Sequence, residues 1–298
     1  LEPSNKTDLS LLDVLHLSQI ILPSQSKHFL TLLKDFINRV DDQGRILINS
    51  AHSFYNQSIN EVPVLASLCL QFFEFTQDEE FLFESFSALQ RFFNNWWMQS
   101  NTDSNNPPSW QSPTQLQLGS GMFNFDTWSD YGKGLNISTA NSPSLASFLY
   151  REAQALQKIA QILGDKPNEY DYGKIAAEIQ KGLQLLWNAE RRVFTYKDRQ
   201  SQGPSKHIII QQGYIQEKLT IDQSFSEPQR LQIHLDSPEM PSRTCSILVA
   251  GQNNAGQHIL EEFSVHDFRC AINKTHLTTN NLFSLLNSVS FIGFTSNT

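Results

Sequence analysis

Apolar positions recur with a helical period through roughly the first 200 residues of the chain and lose that period afterwards. From Lys27 to Val40 the residues Phe29, Leu32, Leu33, Phe36, Ile37 and Val40 fall on one face of a helix, which the following DDQGR ends with turn chemistry. Two more helices are predicted at about 64–76 and 79–99. The second carries Phe81, Phe83, Phe86, Leu89, Phe92, Phe93, Trp96 and Trp97, and at helical spacing a stripe this dense reads as core rather than as a ligand platform. The best-marked helix opens at Ser142, a good N-cap, with Pro143 at the first helical position, where a missing N–H costs nothing. Leu145, Phe148, Leu149, Leu156, Ile159 and Leu163 form its stripe, and Gly164 closes it. Tyr172 to Trp187 is predicted as a further helix with Ile175, Ala176, Ile179, Leu183, Leu186 and Trp187 buried, followed by a short extended segment in ERRVFTYKDRQ. The apolar segment Leu11–Leu22 reads as a helix or as the end of a preceding domain. Such pairs of helices suggest αα-hairpins stacked side by side.

From about Ile208 the period changes. YIQEKLTI, RLQIHL, CSILVAG, VHDFRC and LLNSVSFIGF, separated by Pro, Gly, Asn and Ser, read as strands, so residues 208–298 are expected to form a small antiparallel β-sandwich. The switch near Gly203–Pro204 divides the chain into an extension (1–24), a helical domain (25–203) and a β domain (204–298).

Composition narrows the partners. A net charge of −8, with no Lys/Arg cluster, argues against a nucleic-acid backbone. Only 17% of residues are charged while Asn, Gln and Ser are abundant, a surface suited to neutral polyhydroxylated ligands. Cys69 sits in an apolar run as a small hydrophobe, and Cys245 and Cys270 are a candidate pair within the β region, with a reducing compartment as the default. The opening LEPSNKTDLS lacks the features of a signal peptide, and no apolar run reaches the roughly 18 residues of a membrane span. The expectation is a cytoplasmic protein with no membrane partner. The eight His are dispersed without metal-ligand spacing, so metal ligation is not expected, and neither a G-x-S-x-G elbow nor a P-loop appears. Gly119, Gly121, Gly132 and Gly134 read as turn glycines.

The chemistry concentrates between Pro107 and Asp165, where a Trp-, Gly- and Ser-rich loop runs into the Ser142 helix. Glu152 lies on that helix's apolar stripe, four residues after Phe148 and four before Leu156. An inward carboxylate needs partners: backbone N–H groups or an Arg in a structural role, or else a ligand. The order SGM–FNFD–W, GLNISTANSP, LYREAQALQKIAQILGD, with VPVLASLCLQFFEFTQDEEFL and ALQRFFNNWW upstream and LLWNAERRVFTYKDRQ downstream, resembles the mannosylglycerate hydrolase-like glycoside hydrolases. These are inverting enzymes on an (α/α)6 toroid, related to processing α-glucosidases and trehalases. The resemblance covers roughly residues 25–200, and about 210–298 more loosely. It implies a mainly α fold, a partial toroid of helical hairpins, followed by the β-sandwich as an inserted domain.

Inverting hydrolysis uses two carboxyls roughly 6.5–9.5 Å apart, one as acid and one activating a water. Acid/base hydrolysis of this kind, which the resemblance implies, needs no cofactor. The family's acid is an Asp just after a Ser-Gly-x turn. Here Ser120-Gly121-Met122 is followed by Phe123 and Asn124, and the nearest carboxylate is Asp126, the candidate acid. The resemblance makes Trp110, Trp128 and Tyr131 sugar contacts, joined by Asn124, by Glu152, and by Tyr55 with His52 and Asn56 in a connection expected at the rim. The family's base is a Glu beyond the β insertion, where this chain reaches Thr298, so the base half is expected outside it and a second chain or homo-oligomer is one way to complete the toroid. Two functions stay open. One is inverting hydrolysis of α-glucosides or α-mannosides. The other is a non-catalytic carbohydrate-binding or scaffold protein that has lost its catalytic carboxylates.

Overall fold

The computed structural model describes residues 9–49, 58–100, 107–110, 139–199, 209–236, 241–271 and 274–294. Six helices appear among them: α1 (Leu11–Ser24), α2 (Ser26–Asn38), α3 (Leu65–Thr76), α4 (Glu79–Ser100), α5 (Pro143–Ile162) and α6 (Lys166–Leu185). A hairpin of β1 (Leu47–Asn49) and β2 (Ser58–Asn60) lies between α2 and α3. Four two-residue strand segments follow in the chain: β3 (Ala140–Asn141), β4 (Trp187–Asn188), β5 (Val193–Phe194) and β6 (Lys197–Asp198).

Local chemistry sets most helix ends. Ser10 and Asp13 form a capping box at α1, Ser10 Oγ accepting from Asp13 N at 3.1 Å and Asp13 Oδ2 from Ser10 N at 3.0 Å. Between α3 and α4, Gln77 takes a left-handed conformation (φ 59°) while Asp78 accepts from Phe81 N at 3.0 Å. Ser142 Oγ accepts from Leu145 N at 3.2 Å, with Pro143 opening α5 as predicted. Asp165 caps α6 through Asn168 N at 3.2 Å. That helix therefore starts at Lys166, ahead of the expected Tyr172: its first turn is polar, and an N-cap with Pro167 opens it without any apolar period.

The aromatic stripe of α4 is core. Phe81, Phe86, Leu89, Phe92, Phe93 and Trp96 are all buried, and Phe72 of α3 meets Phe81 edge-to-face at 5.0 Å. Phe83, expected on that face, is instead 74% exposed, because position 83 is rotated off the stripe. Trp187 likewise leaves the predicted helix: α6 ends at Leu185, and Trp187 pairs with Phe194 across the β4–β5 hairpin, half-exposed, with ring centroids 5.0 Å apart. Cys69 is a buried free thiol, as its apolar run suggested.

The described residues divide into two compact units: a helical one that runs up to residue 110 and from Asn141 to Tyr196, and a second that holds those from Lys197 onward with Thr139 and Ala140. The Gly203–Pro204 boundary lies outside the described residues. The second unit contains β7 (Lys218–Gln229), β8 (Gln232–Asp236), β9 (Ser246–Gln252), β10 (His258–Ser264), β11 (Arg269–Ala271), β12 (Lys274–Thr278) and β13 (Phe283–Ile292). They form two antiparallel sheets, ordered β10-β9-β13-β7 and β11-β12-β8. Alternation along β9 buries Ile247, Val249 and Gly251, as a strand with one face on the core requires. Of VHDFRC only Arg269 and Cys270 enter a strand, β11; Val265–Asp267 is a 3-10 turn, opened by a capping box between Ser264 and Asp267. The turn after β12 is held from two sides. Glu261 accepts from Asn280 N (2.8 Å) and Asn281 N (2.6 Å), while Arg230 donates to Thr279 O and Asn280 O and pairs with Asp198. Cys245 is a free buried thiol donating to Gly293 O at 3.2 Å, so the Cys245–Cys270 pairing considered from sequence is not formed.

Candidate active site

The helical connections alternate in length. Gln25 alone separates α1 from α2, Gln77–Asp78 separate α3 from α4, and Leu163–Asp165 separate α5 from α6, whereas α2 to α3 and α4 to α5 are joined by long stretches. Long stretches that carry aromatic and polar residues over a helical scaffold are where binding groups collect. Contacts bring the bases of these long connections to one end of the helical unit. Glu61, just after β2, receives Leu11 N of α1 on its Oε2 at 3.2 Å, and its backbone carbonyl accepts from Trp96 Nε1 near the end of α4 at 2.9 Å. The ring of Trp96 meets Trp110 edge-to-face at 5.8 Å. Pro108 O accepts from Ser142 N at 2.8 Å, so residues 108–110 and 142–144 stand side by side. The hairpin base is tied down too: Asn60 Oδ1 accepts from Ile46 N at 2.9 Å, and Asn95 Nδ2 donates to Gln43 O at 2.8 Å.

Glu152 is 1% exposed and points from α5 into the start of α3. Its carboxylate accepts from Ala66 N at 2.7 Å, Ser67 N at 2.8 Å and Ser67 Oγ at 2.5 Å. The N-cap of α3, Val64, has no side-chain oxygen to offer, so the cap comes from another helix. Burial pushes the Glu152 carboxyl above its ordinary value, and the donors of Ser67 and Ala66 pull it part of the way back. The partners are backbone N–H groups and a hydroxyl, the structural option weighed for this residue. The neighbouring Cys69 thiol is pushed far up by burial and by Glu152.

Trp110 is 1% exposed. It packs edge-on against Trp96 and, at 6.3 Å, against Phe148, and its Nε1 donates to Ser144 Oγ at 3.1 Å. Ser144 Oγ also lies 3.0 Å from Ser142 Oγ and 2.9 Å from Tyr196 Oη. Ser109, Asn141 and Ser142 are buried beside it, a concentration of polar groups at the start of α5. Of the residues singled out from sequence, Trp110 and Glu152 are thus in the same helical unit, one at the start of α5 and one midway along it. Asp126, Asn124, Trp128, Tyr131, Tyr55, His52 and Asn56 lie outside the described residues. Sequence reasoning missed Glu61, Ser144 and Tyr196. Glu61 had a signal, a carboxylate leading directly into the apolar run VPV; Ser144 and Tyr196 had none, since a hydroxyl pair 52 residues apart becomes visible only in three dimensions.

Among the described residues no group of three or more His, Cys, Asp or Glu is placed to hold a metal, and no helix is long and apolar enough to cross a membrane. A shallow groove of about 360 Å³ between α1 and α3, lined by Ser18, Leu22, Gln71 and Phe75, sits at the short-turn end, away from these groups.

Comparison with known proteins bears on the same region. Two solved structures from Thermus thermophilus are similar to the chain at 16% identity, each over 62% of this chain and 57% of the other. One is a GH63 mannosylglycerate hydrolase in complex with glucose, at a TM-score of 0.46. The other is an uncharacterized conserved protein, at 0.43. The chain thus corresponds to little more than half the length of either. No curated protein sequence matches it. A family model, the mannosylglycerate hydrolase MGH1-like glycoside hydrolase domain, matches residues 34–214, from the second half of α2 through all four later helices and the β4–β5 hairpin. That match spans more than half of the sequence, and on it the chain belongs to the mannosylglycerate hydrolase-like glycoside hydrolase family.

Proposed function

We propose that this chain forms the acid-side half of an inverting α-glycosidase acting on glucosides or mannosides. The observation that carries the reading is the convergence of the bases of both long connections, and of the segment after α6, on one end of a helical unit, in a chain of glycoside hydrolase family. In this reading Asp126 protonates the leaving oxygen, and Trp128, Tyr131, Asn124 and Tyr55 contact the sugar. Trp110 and Glu152 brace the helical unit from within. The base that activates water comes from outside residues 1–298, in a further segment or a second chain. The ligand is a neutral carbohydrate, in keeping with a surface rich in amides and hydroxyls. No cofactor enters the reaction, and the protein works in the cytoplasm.

A second reading is favoured by one specific observation. Phe123 and Asn124 stand where the family acid is expected, as they would in a carbohydrate-binding protein without catalysis. Asp126→Asn, made with the base-bearing segment or second chain present, separates the two. A hydrolase loses turnover by at least about a hundredfold, as removal of a general acid predicts, while a binder keeps its saccharide affinity. Unchanged hydrolysis by the variant would remove Asp126 from the mechanism.

A further inference from the structure

We propose that Ser144 is a positioning residue that joins the two sides of the candidate site; the proposal rests on the glycosidase reading for its catalytic consequence but not for its geometry. Three groups from distant parts of the chain meet at one hydroxyl. Trp110 belongs to the segment after α4, Ser142 caps α5, and Tyr196 follows the hairpin after α6.

The hydrogen-bond inventory makes Ser144 the hub. An indole N–H donates only, so Ser144 Oγ accepts from Trp110. That leaves the serine hydroxyl with one proton to give and one lone pair to fill. Ser142 Oγ already accepts from Leu145 N, so one of its lone pairs is taken by the cap. The direction through Ser144 is therefore one of two: Ser142 to Ser144 to Tyr196, or the reverse. Either way Ser144 Oγ is the atom that bonds both Trp110 and Tyr196. The Trp110 ring is fixed in its turn by Trp96, which also donates to the carbonyl of Glu61 at the base of the β1–β2 hairpin. Ser144 thus ends a continuous chain of contacts running from β2, through two indoles, to the segment after α6.

Ser144 itself is only half-buried, whereas Trp110 is wholly enclosed. Removing the Ser144 hydroxyl leaves the indole N–H without its acceptor in a closed setting, and the ring must turn or admit water. Such a change disturbs the junction of residues 108–110, 142–144 and Tyr196 while leaving the helical core in place. The expected signature is a geometric fault rather than unfolding.

The test compares Ser144→Ala, Ser144→Thr and the control Ser147→Ala, whose hydroxyl only returns to Pro143 O on the same helix. Near-ultraviolet circular dichroism and indole emission report on Trp110, with Trp110→Phe identifying its share of the signal. Ser144→Ala is expected to change that share, Ser144→Thr to restore it, and Ser147→Ala to leave it alone. In parallel, hydrolysis of p-nitrophenyl α-glucopyranoside and α-mannopyranoside is measured with the base-bearing segment or second chain present, and glucose affinity of the chain by titration calorimetry. Ser144→Ala is expected to lower kcat at least tenfold with KM within about twofold, and Ser144→Thr to recover most of it. An unaltered Trp110 signal in Ser144→Ala, or a loss of kcat that Ser144→Thr does not rescue, overturns the proposal. A wild-type protein that, with the base-bearing part supplied, neither hydrolyses these glycosides nor binds glucose counts against the glycosidase reading, and the Trp110 signal still decides the role of Ser144.

Discussion

Replacing Glu152 by Gln tests how a helix in this fold is capped. The carboxylate receives two backbone N–H groups and a serine hydroxyl at 2.5–2.8 Å, in a site 1% exposed. Glutamine keeps the shape and one acceptor oxygen but turns the other into a donor. One of the two N–H groups at the start of α3 then faces an NH₂ instead of an oxygen. A buried donor left unpaired costs about 1–3 kcal/mol, and the hydroxyl of Ser67 must also find a new direction. The expected loss is about 2–4 kcal/mol of unfolding free energy. Its pH dependence has a definite sign. Burial raises the folded-state pKa of Glu152 above the ordinary 4.5. The folded protein therefore binds a proton more tightly than the unfolded chain, and stability from this group is full below the ordinary value and falls as pH rises through the raised one. Glutamine does not titrate, so the gap between wild type and variant should be widest near pH 4.5 and narrower at pH 8. Urea unfolding of both proteins at the two pH values, read by far-ultraviolet circular dichroism, gives the difference directly. A gap below about 0.5 kcal/mol at both would refute the capping argument, and one that widens with pH would refute the dominance of burial over the capping donors.

Two further outcomes follow from packing. Gly44 has φ +73°, and a Cβ there would stand 2.0 Å from Arg91 O, so Gly44→Ala should cost upwards of about 1–3 kcal/mol from the left-handed backbone alone and lower the melting temperature markedly. On α4, Phe92→Ala should lose about 3–5 kcal/mol while Phe83→Ala stays within about 0.5 kcal/mol, measured by the same urea titration; equal losses would contradict the assigned helix face.

The sequence carried those features whose causes are local. Ser142, Pro143 and Gly164 define α5 because capping and turn chemistry act within a few residues. The start of α6 escaped because its first turn, KPNEYD, offers no apolar period and is opened by Asp165 and Pro167 alone. Phe83 and Trp187 show the opposite error, in which an aromatic residue near an apolar stripe was assigned to it although backbone rotation or helix termination turns it outward. Strands β10 and β12 were missed because His258–Ser264 sets Glu261 and Glu262 among its apolar residues and Lys274–Thr278 has Leu277 as its one apolar residue. At the candidate site, the inward carboxylate of Glu152 announced its need for donors, since burial of a bare charge is so costly. Which donors it found was not legible, because Ser67 is 85 residues away. Trp110 presented the same problem in another form. An indole in a polar loop has no local sign of whether two more aromatic rings will enclose it.

The alternation of short turns and long connections also says where the chain can be altered. A linker of one to three residues between consecutive helices leaves no slack, and each added residue there would have to bulge out or pull a helix terminus from its cap. At the opposite end, lengthening an already long connection adds little closure entropy, since doubling a flexible loop costs only about 0.6 kcal/mol. Variation in length is thus confined by the architecture to the end where the long connections leave and rejoin the helices. A fold arranged in this way can acquire new specificities by insertion without renegotiating its core, and a library built on this chain should place its diversity at that end.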